Sequence, residues 1–225
     1  MAPLMVGFDL DMTLADTRRG IAAVYDALAA ETGVFIDSDL ISTRLGPPLE
    51  VELANWYPAE RVPAMVRRFR ELYPGIAIPV TKPMAGAHEA IHAVRERGGR
   101  AMVVTGKNQR DAEQTVRILG LPVTVVIGPL FAAGKAVALR EHGAAIYVGD
   151  HTGDVDAARA AGAVSVGVAS GPYDAAALRA YGADFVLPDL LAFRHWLGTY
   201  PSPNGSHPSP DGSHPDRLGV PHERS

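Results

Sequence analysis

The chain has no cysteine among its 225 residues. Disulfides, thiolate metal sites and a cysteine nucleophile are therefore excluded, and a reducing compartment, most simply the cytoplasm, is expected. Long apolar runs are missing too. The N-terminal stretch at residues 4–8 is far too short for a membrane span, and aspartates follow it where a small-residue cleavage site would stand, so neither an anchor nor a signal peptide is expected. There is no surplus of positive charge. Lys and Arg number 21 against 25 Asp and Glu, a formal charge of −4 with a pI near 6.0, which provides no broad field for nucleic acid or an anionic membrane. Any anionic ligand must be captured locally. Hydrophobic residues make up 47% of the chain, enough at this length for one sizeable domain plus a smaller insertion.

From about residue 85 to 198, short runs rich in Val and Ile alternate with helical patterns. This alternation predicts strand-helix units around a parallel sheet. Strands are expected at 4–9, 101–105, 123–127, 146–150, 164–168 and 185–187, each ending near a Gly, Pro, Asp or Thr turn signal. Residues 17–82 have another periodicity: Ile21, Val24, Tyr25 and Leu28, then Val62, Met65, Val66, Phe69 and Leu72, recur at helical spacing. The expectation is an α/β core of residues 1–16 and 83–198, with an all-helical cap inserted after the first strand. Such a cap sits over the crevice where open α/β sheets bind ligands, as a lid. From residue 199 the composition turns to Pro, Ser, Gly and His, and PSPNGSH at 201–207 is repeated as PSPDGSH at 208–214. A disordered tail over 199–225 is expected, because so little apolar surface cannot offset the entropy of ordering.

Three strand ends carry the candidate chemistry. In VGFDLDMTLADT an apolar strand delivers Asp9 and Asp11 two residues apart. A buried pair of like charges persists only with a cation or a shared proton, so the arrangement points to a divalent metal or to acid-base work; the alternative is a turn with solvated aspartates. In RAMVVTGKNQRDAEQTV a strand ends in Thr105 and Gly106 before a helix opens near Asn108. A hydroxyl and free N–H groups there form an anion pocket, unless Thr105 merely caps the helix. In AAIYVGDHTGDVDAARAAGA the strand ends at Asp150, on the same sheet edge as Asp9, and Asp154 follows in the helix, where it either joins the site or serves the helix dipole. Oxygen-only ligands at strand ends suit Mg²⁺. Lys135 is one short helix upstream and can neutralise a phosphoryl group or remain a surface lysine, and Lys107 competes for that role.

Taken in order, DLDMT at 9–13, Thr105, Lys135 and GDHTGD at 149–154 resemble the four motifs of haloacid dehalogenase-like (HAD) hydrolases. PMAGAHEAIHAVRERGGRAMVVTGK and AALRAYGADFVLPDL resemble the phosphoglycolate-phosphatase-like branch, whose helical cap follows the first motif. The resemblance implies a Rossmann-like parallel-sheet core and a Mg²⁺-dependent phosphatase acting on a small phosphorylated metabolite of the phosphoglycolate-like kind, as a monomer or homodimer. It implies Asp9 as nucleophile and Asp11 as general acid and base, kept protonated by anionic neighbours. It further implies Thr105, Gly106 and Lys135 as phosphate holders, Asp9, Asp11 (by its backbone carbonyl) and Asp150 as metal ligands, and Asp154 as their support. Gly106 stands where relatives often have Asn, and His151, where a small hydroxyl residue is frequent, either tunes the metal site or faces solvent. Arg44, in RLGPPLE, is either a partner for a second anionic group or a solvated side chain. Dehalogenases lack the second aspartate, and mutases of this superfamily usually carry a histidine where Ile21 stands. Hydrolysis is thus expected, with a phosphomutase or a non-catalytic phosphate-binding module as alternatives.

Overall fold

A computed structural model describes residues 3–131 and 133–201. The tail expected from residue 199 lies, from residue 202 onward, outside the described residues. Strand β1 (Met5–Phe8) leads into a tight turn and a two-residue strand, β2 (Ala15–Asp16). Four helices follow: α1 (Arg18–Thr32), α2 (Ser38–Ser42), α3 (Leu49–Leu53) and α4 (Val62–Ile76). After a 3₁₀ turn at Ile78–Val80, strand β3 (Lys82–Pro83) pairs antiparallel with β2, so the helical segment leaves and returns through a two-stranded ribbon. Helix α5 (Ala87–Glu96) and strand β4 (Arg100–Val104) come next, then α6 (Gln109–Ile118), β5 (Val125–Ile127) and α7 (Ala133–Glu141). The chain continues with β6 (Ala144–Gly149), α8 (Thr152–Ala161), β7 (Val164–Val168), α9 (Ala175–Tyr181), β8 (Phe185–Leu187) and α10 (Phe193–Thr199).

The expected α/β sheet is present. Six parallel strands run in the order β5-β4-β1-β6-β7-β8. The period of two along each strand sorts side chains to opposite faces. Val6, Phe8, Val103, Ile146 and Val148 pack with Ala90, Ile91 and Val94 of α5 and Phe193 and Leu197 of α10. On the other face Met102, Val104 and Tyr147 meet Ala138 and Leu139 of α7 and Ala157 and Ala158 of α8. Both faces are therefore covered, as a parallel sheet requires.

The four helices between β2 and β3 bury their own apolar cluster. Val24, Tyr25 and Leu28 of α1 pack against Val66, Phe69 and Tyr73 of α4 and Leu53 of α3. The chain builds β4 and β5 on one side of β1 and then returns to place β6 on the other. The crevice at the C-terminal ends of β1 and β6 is the switch point, where open α/β sheets present their ligand sites.

Candidate active site

Asp9 is the first residue after β1, and its N–H still bonds to the Val148 carbonyl of β6 at 2.8 Å. The next residues form a compact turn. The Leu10 carbonyl accepts the N–H groups of Thr13, Leu14 and Ala15, and the Met12 N–H reaches Ala15. Met12 has φ of 63°, a left-handed conformation costing about 1–2 kcal/mol for a residue with a Cβ. Ser170 Oγ donates to its carbonyl at 2.7 Å and helps to hold it. The turn aims Asp9, Asp11 and Met12 into one cavity, while Thr13 Oγ1 donates to Asp150 Oδ1 at 2.7 Å.

Asp150 follows β6, and Asp154 lies in the first turn of α8. There the Asp154 carboxylate accepts the His151 N–H while the His151 ring accepts the Gly153 N–H, a reciprocal cap. Two glycines make room for these acids. A Cβ on Gly149 would strike the Asp154 carboxylate, and one on Gly171 would strike that of Asp150.

One carboxylate oxygen from each of Asp9, Asp150 and Asp154 lies within 4.8 Å of the others, and all three residues are buried. Lys135, from α7, sends its ammonium between them, 2.8 Å from Asp9 and 2.7 Å from Asp154. Burial, only partly opposed by Lys135 and reinforced by Asp154, pushes the Asp9 carboxyl up to about 7. Burial followed by the charges of Asp9 and Asp154 drives Asp150 well above the ordinary carboxylate range. Burial also disfavours the charged Lys135, but Asp154 and Asp9 outweigh it and hold its ammonium well above the lysine norm. Three buried carboxylates against one ammonium leave two negative charges, the deficit that a divalent cation with oxygen ligands removes.

The remaining expected residues divide around this cluster. Thr105 is buried at the end of β4, and its Oγ1 accepts the Lys107 N–H at 3.2 Å. It does not cap α6, which is capped by Asn108. Thr105, Gly106 and Lys135 line the same cavity as Asp9. The Asp11 carboxylate stands apart from the acidic cluster and is paired with Lys107 at 3.0 Å. The expectation of anionic neighbours around Asp11 is thereby corrected: the charged side chain paired with its carboxylate is that of Lys107. Lys107 also meets the Tyr73 hydroxyl at 2.6 Å and lies 4.3 Å from that ring centre. Arg44 is paired with buried Glu52 at 2.7 Å, and its Nε is buried without a partner. His151 stacks edge-on with Tyr173.

Tyr73 and Phe131 were not singled out by sequence reasoning. Tyr73 is one more apolar position on the periodic face of α4. Phe131 sits in a loop with no periodicity, and its ring fills the space that a Gly106 side chain would need.

The family model described as haloacid dehalogenase-like hydrolase matches residues 6–128, and an HAD-hydrolase-like model matches 130–193. The chain belongs to this family and is a hydrolase of its phosphatase-like kind. The phosphoglycolate phosphatase of Xylella fastidiosa is 28% identical over 185 residues, covering 73% of this chain and 79% of that one. Tyrosine-protein kinase PtkA of Mycobacterium tuberculosis is 27% identical over 184 residues, 76% of this chain but 63% of that longer protein. Among solved structures, a haloacid dehalogenase-like hydrolase from Streptococcus pneumoniae superposes with a TM-score of 0.78 at 22% identity, covering 87% of this chain and 98% of that one. No helix among the described residues is long and apolar enough to cross a membrane.

Proposed function

We propose that the protein is a Mg²⁺-dependent phosphatase that hydrolyses a small phosphate monoester through a phosphoaspartate on Asp9. The observation that carries this reading is the buried cluster of Asp9, Asp150 and Asp154 around a single ammonium. Asp9, Asp150 and the Asp11 backbone carbonyl would hold the ion, with Asp154 in support. When bound, Mg²⁺ supplies positive charge against the phosphoryl oxygens and keeps the carboxylates ionised. Residues 1–16 and 83–198 act as the catalytic core, and residues 17–82 act as its cap.

Thr105 Oγ1, the Gly106 N–H and the Lys135 ammonium hold phosphoryl oxygens while an Asp9 oxygen attacks in line. The new bond joins that oxygen to phosphorus, and the ester P–O bond breaks. Asp11, in its acid form, gives its proton to the departing alkoxide. It then takes a proton from the water that attacks the phosphoaspartate, which releases inorganic phosphate, frees the Asp9 carboxylate and returns Asp11 to its acid form. Most of the acceleration comes from positioning and charge complementarity. Hydrolysis is favoured over phosphoryl relocation by Ile21. It presents hydrocarbon to the cavity where mutases of the superfamily usually carry a histidine.

Asp9→Asn should lower phosphate release from 4-nitrophenyl phosphate by more than about 10³-fold. A chelator should abolish wild-type turnover, and added Mg²⁺ should restore it. Normal turnover by the variant would refute covalent catalysis at Asp9.

A further inference from the structure

The cavity over the acidic cluster encloses about 520 Å³, within the range of sites that hold drug-sized ligands. A phosphoryl group and a two-carbon acid would leave most of that space to water. Its walls are hydrocarbon over much of their extent: Ile21 from α1, Ile41 from α2, Leu45 and Leu49 around the Gly46–Pro48 loop, and Phe69 from α4. Phe131 adds an aromatic ring that is 44% exposed and lies against Gly106, next to the expected phosphate holders. A side chain at position 106 would collide with that ring. Glycine there therefore exchanges a polar contact for an aromatic wall.

The charges around the cavity give a second, independent constraint. Seven acidic and four basic side chains line it, a difference of three negative charges, of which a divalent ion would neutralise two. Every basic side chain among these described residues already has an acidic partner. Arg44 pairs with Glu52, Arg70 with Glu50, Lys107 with Asp11, and Lys135 with Asp9 and Asp154. A substrate carboxylate would meet no unpaired cation and would be desolvated in a field of its own sign. One buried donor, Arg44 Nε, is left unpartnered and can take an acceptor oxygen of the ligand, although the charge of that guanidinium is already matched by Glu52.

We infer that the leaving group is a bulky, largely apolar and uncharged alcohol, with aryl-bearing alcohols as the class that fits and Phe131 as a determinant of that preference. This inference rests on the phosphatase reading above and narrows it. Three esters with unactivated leaving groups separate the possibilities with the Mg²⁺-loaded protein: 2-phenylethyl phosphate, ethyl phosphate and 2-phosphoglycolate. The kcat/KM for 2-phenylethyl phosphate should exceed that for ethyl phosphate by roughly 30-fold or more, the effect of burying one phenyl ring, and should also exceed that for 2-phosphoglycolate. Phe131→Ala should reduce the phenylethyl-to-ethyl ratio by roughly fivefold. Preference for 2-phosphoglycolate, equal rates for the two neutral esters, or an unchanged ratio in the variant would each overturn the inference and leave the phosphatase reading intact. If no ester is turned over, that reading fails, and calorimetry with 2-phenylethylphosphonate and phosphonoacetate decides the pocket chemistry. Tighter binding of the phenylethyl compound supports the inference, and tighter or equal binding of phosphonoacetate overturns it.

Discussion

Asp150 lies in the structural conflict on which the proposed function rests. It is buried beside two other carboxylates and held by Thr13, while the nearby Lys135 ammonium is paired with Asp9 and Asp154. Its folded-state proton affinity is raised above the ordinary carboxylate value of 3.8, first by burial and then by Asp9 and Asp154. A group with a raised folded pKa favours folding while protonated and loses that contribution as pH climbs above its unfolded value. Chelated protein should therefore lose stability from this cluster as pH rises from about 4 through about 7, the value to which Asp9 is pushed. Asp150→Asn keeps an acceptor for Thr13 and removes one charge. In chelator at pH 8 the variant should be more stable than wild type by on the order of 1–3 kcal/mol, and the difference should shrink towards pH 4. Thermal melts across pH test this, and a variant less stable than wild type at pH 8 would contradict it. The aspartates were legible because each stands where an apolar run stops, and a carboxylate at such a place needs a reason. Tyr73 was not legible, since a tyrosine on an apolar helical face looks like core whether or not its hydroxyl finds a lysine. The partner of Asp11 was misjudged for a related reason. Sequence order places Asp11 among acids, while the turn at Met12 and the reach of Lys107 from the end of β4 decide its neighbour.

At the scale of elements, helix α4 connects the helical segment to the site. It is amphipathic, buries Val66, Phe69 and Tyr73, and contains Pro74 within its last turn, where a ladder hydrogen bond is lost. Tyr73 just before that proline gives its ring and hydroxyl to Lys107. Burial works against the charge on Lys107, but Asp11 and Tyr73 outweigh it and keep it cationic. Tyr73→Phe leaves the ring and removes one hydrogen bond. We expect kcat/KM to fall by about 3- to 10-fold with about 1 kcal/mol of stability lost, as read by steady-state kinetics and melting. Unchanged kinetics would show that this helix does not position Lys107. The two long helices of the segment, α1 and α4, were readable from their 3.6-residue spacing, whereas α2 and α3, five residues each, are too short to show it; all six sheet strands were found within a few residues of their ends. The ribbon of β2 and β3 was not found, since two residues per strand are too few to show a period.

At the scale of the whole molecule, the order β5-β4-β1-β6-β7-β8 puts the ends of β1 and β6 side by side, and residues 126 or more apart in sequence converge there. The general architecture was legible because repeated strand-helix units allow few topologies. Which lysine would lie beside Asp9 was not, because that depends on how far α7 reaches across the sheet edge. The proposed mechanism needs this convergence to leave one Asp9 oxygen free to attack phosphorus. The most direct test is to quench the Mg²⁺-loaded enzyme during steady-state turnover of an aryl phosphate, reduce it with borohydride, and map the peptides by mass. An acyl phosphate on aspartate is reduced to homoserine. The expected result is homoserine at position 9 alone, formed only when substrate and Mg²⁺ are both present. Reduction at another aspartate, or none in an enzyme that is turning over with phosphoenzyme hydrolysis slowed to be rate-limiting, would contradict the assignment of Asp9 as the nucleophile.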